Sequence, residues 1–292
     1  MLVVTGGDGY IGRELCKALC QENVVCVGRP EKSDLIRNFN FYATESHCSD
    51  VFQHMDVKTI IHLANIAHNK YTNERDVYEV NCLGTINLAK QAARNGVKRF
   101  IYISSIYLCN LSSEELDLLA KEDVQLHSKA LAEKELMQLS ESTEMDIVII
   151  RSALVYGGDS PGNMGVMSKV IRKFGFLPFA SLKQVKPYVD IRNLVDLIIH
   201  CISFNSTIST FLVAMDDRSY NLSEIIRVIS KPSEKRLFFF PVPYFLLIIG
   251  FFILGKRRLG LKILRGEPRP EITNWDLIGW YPKYNSRENS TL

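Results

Sequence analysis

The sequence predicts an α/β fold, a doubly wound parallel sheet with a smaller C-terminal lobe, and three observations lead there. Apolar runs such as 59–65 and 97–105 show no alternation, as expected of strands buried on both faces. Helical patterns separate these runs from residue 1 to about 150, the strand–helix rhythm of a parallel sheet. Between the first run and the first helix stand Gly6, Gly9 and Gly12, spaced G-x-x-G-x-x-G. A chain of 292 residues, 47% of them hydrophobic, can bury the core such a sheet needs.

Taken in order, residues 1–5 form the first strand. The helix that follows places Leu15, Ala18 and Leu19 on one side and Arg13, Glu14 and Lys17 on the other. A strand, a tight glycine turn and a helix start make an anion site. The turn needs residues without a Cβ, and the helix start offers unpaired N–H groups with a partial positive charge. Residues 1–12 therefore predict a dinucleotide-binding turn. Residues 23–28 read as the second strand, with Arg29 at the tip that meets the adenosine ribose in such folds. An acid there holds the ribose of NAD, whereas an arginine receives the 2′-phosphate of NADP. No Asp or Glu stands beside Arg29 before Glu31, so the expected cofactor is NAD(P), with NADPH favoured.

Residues 31–56 read as a polar stretch with a strand near 39–43 and a short helix around 50–55. The strand at 59–65 precedes a long amphipathic helix over 76–95, closed by Gly96. The strand at 97–105 ends in Ser104 and Ser105, at the carboxyl edge where ligands of such sheets sit. A helix over 124–142 and a sixth strand over 145–151 follow, and then the rhythm breaks in a loop at 156–163, read as the rim of a substrate cleft. The expected domains are 1–160, dinucleotide-binding, and 161–292, a substrate lobe with elements partly returning to the first.

A formal charge of +3 gives no sign of nucleic acid as a partner. The seven cysteines are scattered. Cys16 and Cys20 are four apart on one helix, but no second pair or neighbouring histidine completes a metal site, so they read as core thiols in a reducing cytoplasm and no metal is expected. The chain opens directly on a strand, so no signal peptide is expected.

The order of several motifs resembles the extended short-chain dehydrogenase/reductase superfamily, in its nucleotide-sugar epimerase, dehydratase and reductase branch. The resemblance rests on the segment 5–12, His62-Leu63-Ala64, Asn81-Cys82-Leu83-Gly84-Thr85, the strand ending in Ser104-Ser105, Ser128-Lys129-Ala130 with Glu133, and the segment 151–157. It implies an NAD(P)-binding Rossmann fold. Gly6, Gly9 and Gly12 would cradle the pyrophosphate with Tyr10 and Ile11 beside it, and Leu63 and Ala64 would line the nicotinamide ribose channel near Ser104. It also implies that Ser105 hydrogen-bonds the reacting sugar oxygen and that Lys129 holds the ribose and lowers the pKa of a catalytic tyrosine. Asn163 and Lys186 would contact the nucleotide diphosphate of a UDP-sugar. The family's Tyr-x-x-x-Lys is incomplete here: four residues before Lys129 stands Gln125, which exchanges no protons.

Two functions follow. The first is an NAD(P)-dependent epimerase or reductase acting at C4 of a UDP-hexose in polysaccharide biosynthesis, cytoplasmic and forming a homodimer. The second is a non-catalytic dinucleotide- or sugar-nucleotide-binding relative. Residues 237–254 carry no charge, and two prolines leave only 244–254 as uninterrupted helix, followed by Lys256, Arg257 and Arg258. The segment 244–258 reads either as packing within the lobe or as a peripheral contact with an anionic membrane.

Overall fold

The computed structural model describes residues 1–19, 23–28, 37–38, 52, 56–66, 73–109, 111–158, 176–204, 208–230, 238–253, 255, 260, 264, 266–267 and 269–284. The strands are β1 (Leu2–Thr5), β2 (Val24–Gly28), β3 (Arg37–Asn38), β4 (Thr59–His62), β5 (Arg99–Ser105), β6 (Asp146–Ser152), β7 (Leu154–Tyr156), β8 (Phe176–Leu177), β9 (Val185–Asp190), β10 (Thr210–Ala214), β11 (Ser219–Asn221) and β12 (Phe238–Phe239). The α-helices are α1 (Tyr10–Ala18), α2 (Glu74–Tyr78), α3 (Thr85–Arg94), α4 (Ser113–Glu122), α5 (Val124–Ser142), α6 (Ile191–Ser203), α7 (Leu222–Ser230), α8 (Tyr244–Ile253) and α9 (Trp275–Ile278).

The chain forms two compact units. The first comprises Met1–Ala153, Leu194–Ala214 and Ile272–Tyr281, and the second Leu154–Asn193, Met215–Glu271 and Pro282–Leu292. The first holds a seven-stranded sheet in the order β10-β6-β5-β4-β1-β2-β3, parallel at every step. This is the doubly wound α/β fold. The order reverses at β1, which lies between β2 and β4, and ligands of such sheets bind at the carboxyl ends beside that switch point.

Sequence explains the placement of the core. All four residues of β4 and six of the seven in β5 are buried, matching their unalternating apolar runs. Ile60, Phe100, Ile147 and Ile149 pack with Leu88 and Ala92 of α3 and Ala132 and Leu136 of α5. Each large side chain so buried contributes roughly 1.5–3 kcal/mol relative to exposure. The returning tail holds the edge strand β10 through Trp275 Nε1, which donates to the Val213 carbonyl at 2.6 Å, and helix α6 through Trp280 Nε1, which donates to Asp196 at 2.6 Å.

The second unit contains a three-stranded sheet, β11-β9-β7, and the pair β12-β8. Its core joins Tyr156, Tyr188 and Tyr220, the first and third and the second and third edge-on at 6.3 Å, to Ile225 and Ile226 of α7 and Leu247 of α8.

Three local expectations change. The helix expected over 76–95 is α2, then a π-helical turn (Glu79–Gly84), then α3. Such wide turns frequently sit at functional sites, and this one carries Asn81, whose side chain holds the loop after β4. The second correction concerns the core thiols: Cys16 of α1 is bonded to Cys26 of β2 as a disulfide, while Cys82, Cys109 and Cys201 are free. Spacing pointed to Cys16 and Cys20 because only local neighbours are visible in a sequence, whereas the β1–α1–β2 crossover lays the helix on the next strand. The third concerns the tip of β2, where an acid was not expected. A Cβ built on Gly28 would stand 2.7 Å from an Asp8 carboxylate oxygen, so the glycine turn delivers an acid there. The strand expected at 39–43 and, apart from Phe52, the helix expected at 50–55 lie outside the described residues, as do Arg29, Asn163, Cys20 and Cys48.

Candidate active site

The glycine turn is built as its sequence requires. Gly6 has φ +69°, and a Cβ there would lie 2.7 Å from the Ala64 nitrogen. A Cβ on Gly12 would lie 2.2 Å from the Gly6 carbonyl, so neither position admits another residue without backbone movement. Gly9 is the N-cap of α1 and supplies no side-chain cap, leaving the helix start open to an outside acceptor. Gly9 N–H donates to the Gly6 carbonyl at 2.9 Å and Gly7 N–H to Val27 at 3.1 Å, which fixes the turn against β2. Tyr10 and Ile11 form the first turn of α1.

Next to this turn, the loop after β4 hangs from a buried relay that the sequence reading did not assign. Thr85 donates its hydroxyl to the Asn81 carbonyl at 2.9 Å, so it accepts from His62 Nε2–H, also 2.9 Å away. His62 Nδ1 then accepts from the Thr5 hydroxyl at 2.7 Å, and Thr5 Oγ1 accepts from Ala64 N–H at 3.3 Å. With Thr5 donating, the hydrogens run one way along the relay, the arrangement of a neutral imidazole. Burial, and secondarily the Lys129 charge, push the His62 pKa down to about 3, in agreement. Asn81 completes the support by accepting from Ile66 N–H at 2.8 Å and donating to its carbonyl at 3.2 Å. Leu63 and Ala64 are thereby fixed against Gly6. The readable signal was a histidine and two threonines at otherwise apolar strand and helix positions.

At the carboxyl end of β5, Ser104 is 5% exposed and its hydroxyl has no partner among the described residues. Ser105 is half-buried and caps a short 3₁₀ turn (Ile106–Leu108), accepting from Tyr107 N–H at 3.4 Å. Asp123 caps the start of α5 by accepting from Leu126 N–H, and Gln125 and Lys129 follow one turn apart. Lys129 Nζ donates to the Ile103 carbonyl at 2.7 Å and lies 5.2 Å from the centre of the Tyr102 ring. Burial pulls its pKa down to about 8, against the opposing pull of Glu133. Glu133 itself is forked onto Arg151, with contacts of 2.7, 3.1 and 3.2 Å. The sheet thus brings the glycine turn, Leu63 and Ala64, Ser104, Ser105 and Lys129 to one edge of the first unit.

Lys186 belongs to the second unit. It lies within β9 rather than a loop, is buried, and faces Glu267 at 3.6 Å. That unit has its own buried polar centre. Asp216 accepts from Tyr156 Oη at 2.7 Å, Asn193 Nδ2 at 2.8 Å and Asp190 N–H at 3.0 Å. Burial outweighs these donors and pushes its pKa up to about 6.

A parallel sheet of this order, with a glycine turn whose two critical positions exclude a Cβ, defines a Rossmann dinucleotide-binding protein. The model of the NAD dependent epimerase/dehydratase family matches residues 2–214. The UDP-glucose 4-epimerase of Vibrio cholerae is 30% identical, covering 98% of this chain and 92% of its own length. The N-acetyl-α-D-glucosaminyl-diphospho-ditrans,octacis-undecaprenol 4-epimerase of Escherichia coli O157:H7 is 22% identical over 87% of this chain and 80% of its own. Among solved structures, the UDP-glucose 4-epimerase of Thermus thermophilus in complex with NAD superposes with TM-score 0.70 at 19% identity, covering 97% of this chain and 94% of that one. The chain belongs to the NAD-dependent epimerase/dehydratase family of enzymes, in the extended short-chain dehydrogenase/reductase branch, and its cofactor is NAD(P).

Proposed function

We propose that this enzyme interconverts or reduces a UDP-hexose at sugar C4, in the assembly of a polysaccharide, and acts as a homodimer. The observation that carries the reading is the unmodified glycine turn, set beside an ordered Leu63-Ala64 loop and Lys129 on one sheet edge, in a chain 30% identical to a UDP-glucose 4-epimerase.

In this reading Gly6, Gly9 and Gly12 receive the pyrophosphate at the start of α1, with Tyr10 and Ile11 beside it. Leu63, Ala64 and Ser104 line the path of the nicotinamide ribose, and Lys129 holds that ribose. Bound NAD(P) supplies the hydride acceptor and donor. Ser105 hydrogen-bonds the sugar oxygen whose carbon is oxidised. Lys186 and Asn163 stand for the nucleotide diphosphate, Lys186 as a point charge that it shares with Glu267. At the ribose of the adenosine, Asp8 at the β2 tip favours NAD, whereas Arg29, next in sequence to Gly28, favours NADPH.

Proton transfer is the step that the residues serve least well. Gln125 cannot take a proton, so Ser105 passes it through water, at the loss of much of the roughly 10²–10⁴-fold that a positioned acid/base contributes. Gln125 also favours a second reading, a member that binds NAD(P) and a sugar nucleotide without turnover.

The test titrates purified protein with NAD and NADPH by fluorescence, then assays UDP-glucose for epimerisation and a UDP-4-keto-hexose for NADPH oxidation, beside Gln125→Tyr. Turnover by the native chain upholds the first reading. Activity confined to Gln125→Tyr establishes the second, and failure to bind either dinucleotide ends both.

A further inference from the structure

Helix α8 of the second unit is apolar on every side, yet only one side is packed. Leu247 is buried, and Ile248 and Phe251 join the core formed by Tyr156, Tyr188 and Tyr220. The opposite stripe carries Phe245, Leu246, Ile249, Phe252 and Ile253, which are 61, 46, 47, 64 and 76% exposed. Helices of water-soluble domains place polar residues on such a stripe, and a helix apolar all round is ordinarily buried all round. The stripe is continuous: its members follow one another at positions i, i+1, i+4, i+7 and i+8. Tyr244 at the helix start, and Phe238 and Phe240 on the segment leading to it, are also exposed.

Charge identifies what covers this stripe. No Asp or Glu occurs from 237 to 266, and Lys256, Arg257, Arg258, Lys262 and Arg265 follow the helix. Between 231 and 266 eight Lys and Arg oppose the single Glu234, which gives this segment +7 in a chain whose total is only +3. The segment is tied to the helix at described points. A Cβ built on Gly260 would fall 2.4 Å from the Phe251 ring, and Leu264 is buried in the core that holds Leu247. Arg227 stands 4.8 Å over the Phe239 ring, a cation already beside the apolar surface. A bilayer with anionic headgroups matches both properties, since it receives apolar side chains below the headgroups and cations among them.

The geometry points to a membrane-docking face: the exposed stripe of α8 enters the interface of a bilayer whose anionic headgroups are favoured by the positive charge of the flanking sequence. The helix lies on the membrane and does not cross it. Ten residues rise about 15 Å, half of a hydrocarbon core of roughly 30 Å, and no helix among the described residues is long and apolar enough to span. This inference concerns the second unit's surface and does not depend on the reaction proposed above.

The experiment is flotation of the full chain with vesicles of equal parts phosphatidylcholine and phosphatidylglycerol, with pure phosphatidylcholine as control. The native chain and the pair Phe245→Glu with Phe252→Glu are compared. Both sites are exposed, so circular dichroism and dinucleotide binding of the variant should match the native chain. The expected result is recovery of the native chain with anionic vesicles, falling with added salt, and roughly tenfold lower recovery of the variant. Native protein remaining in the dense layer, or native and variant floating equally, overturns the inference. Light scattering covers the other occupant: a dimer split by the two substitutions, with no vesicle recovery, would make the stripe a self-association face and overturn it equally.

Discussion

The starts of α1 and α5 serve the same sheet edge and have fared differently. At α1 every feature that an anion site needs is present: Gly6 in a left-handed conformation, Gly12 against the Gly6 carbonyl, and a helix start without a side-chain cap. At α5 Asp123 caps the first turn and Lys129 is hydrogen-bonded to Ile103, but the position where the family resemblance places a tyrosine holds Gln125. Binding a dinucleotide rests on backbone shape, whereas using it rests on one side chain.

The largest expected effect lies at α5. Gln125→Tyr should raise turnover by about 10²–10⁴-fold with dinucleotide affinity unchanged, measured as initial rates at saturating cofactor. An unchanged rate would mean that another group already carries the proton. At α1 the comparison is sharpened from the opposite side. Gly12→Ala should weaken NAD(P) binding on the order of 10²-fold, because its Cβ meets the Gly6 carbonyl and the turn must open; fluorescence titration reads this directly.

The loop beside the glycine turn gives a smaller effect. The His62 pKa is depressed to about 3 in the fold, from an ordinary 6.5. Below pH 6.5 the unfolded chain takes up a proton that the folded chain refuses, so stability falls as pH drops from 6.5 towards 3. Between pH 7 and pH 5 the loss is about 2 kcal/mol, and denaturant titrations should show it removed in His62→Asn. Asp216 acts in the other direction in its own unit. Its raised pKa of about 6 makes the folded state the stronger proton binder between pH 3.8 and 6, so its contribution declines as pH rises through that window. Asp216→Asn should remove that slope in the same titrations.

Lys129 gives the last comparison. Its pKa is lowered to about 8, so between 8 and 10.5 the unfolded chain holds the proton more firmly. Across that range the native chain should therefore gain stability with rising pH relative to Lys129→Met, read as the difference between their denaturant titrations.

Much of the first unit was legible because its information is local. Non-alternating runs mark strands buried on both faces, and β4 and β5 show that burial. The glycine spacing marks a turn whose steric reasons are visible in Gly6 and Gly12. Distant pairings were not legible. Nothing in spacing joins Thr5 to His62, or His62 to Thr85. Nothing in spacing sets Asp8 at the tip of β2, bonds Cys16 to Cys26, or places Lys186 in a strand opposite Glu267. The apolar run after 237 was open to two readings; the fold packs one stripe of α8 in the core of the second unit, in line with the first reading, and leaves the other stripe exposed.

By itself the sequence determined the α/β class, the glycine turn and the spacing of Gln125 and Lys129 one helical turn apart, because each depends on residue type at short spacing. The tertiary structure alone decided the protonation of His62, the ordering of the Leu63-Ala64 loop and the exposed face of α8. Those properties depend on which groups the crossover connections bring within hydrogen-bonding distance and which they leave facing solvent, and a chain fixes neither until its strands are laid side by side.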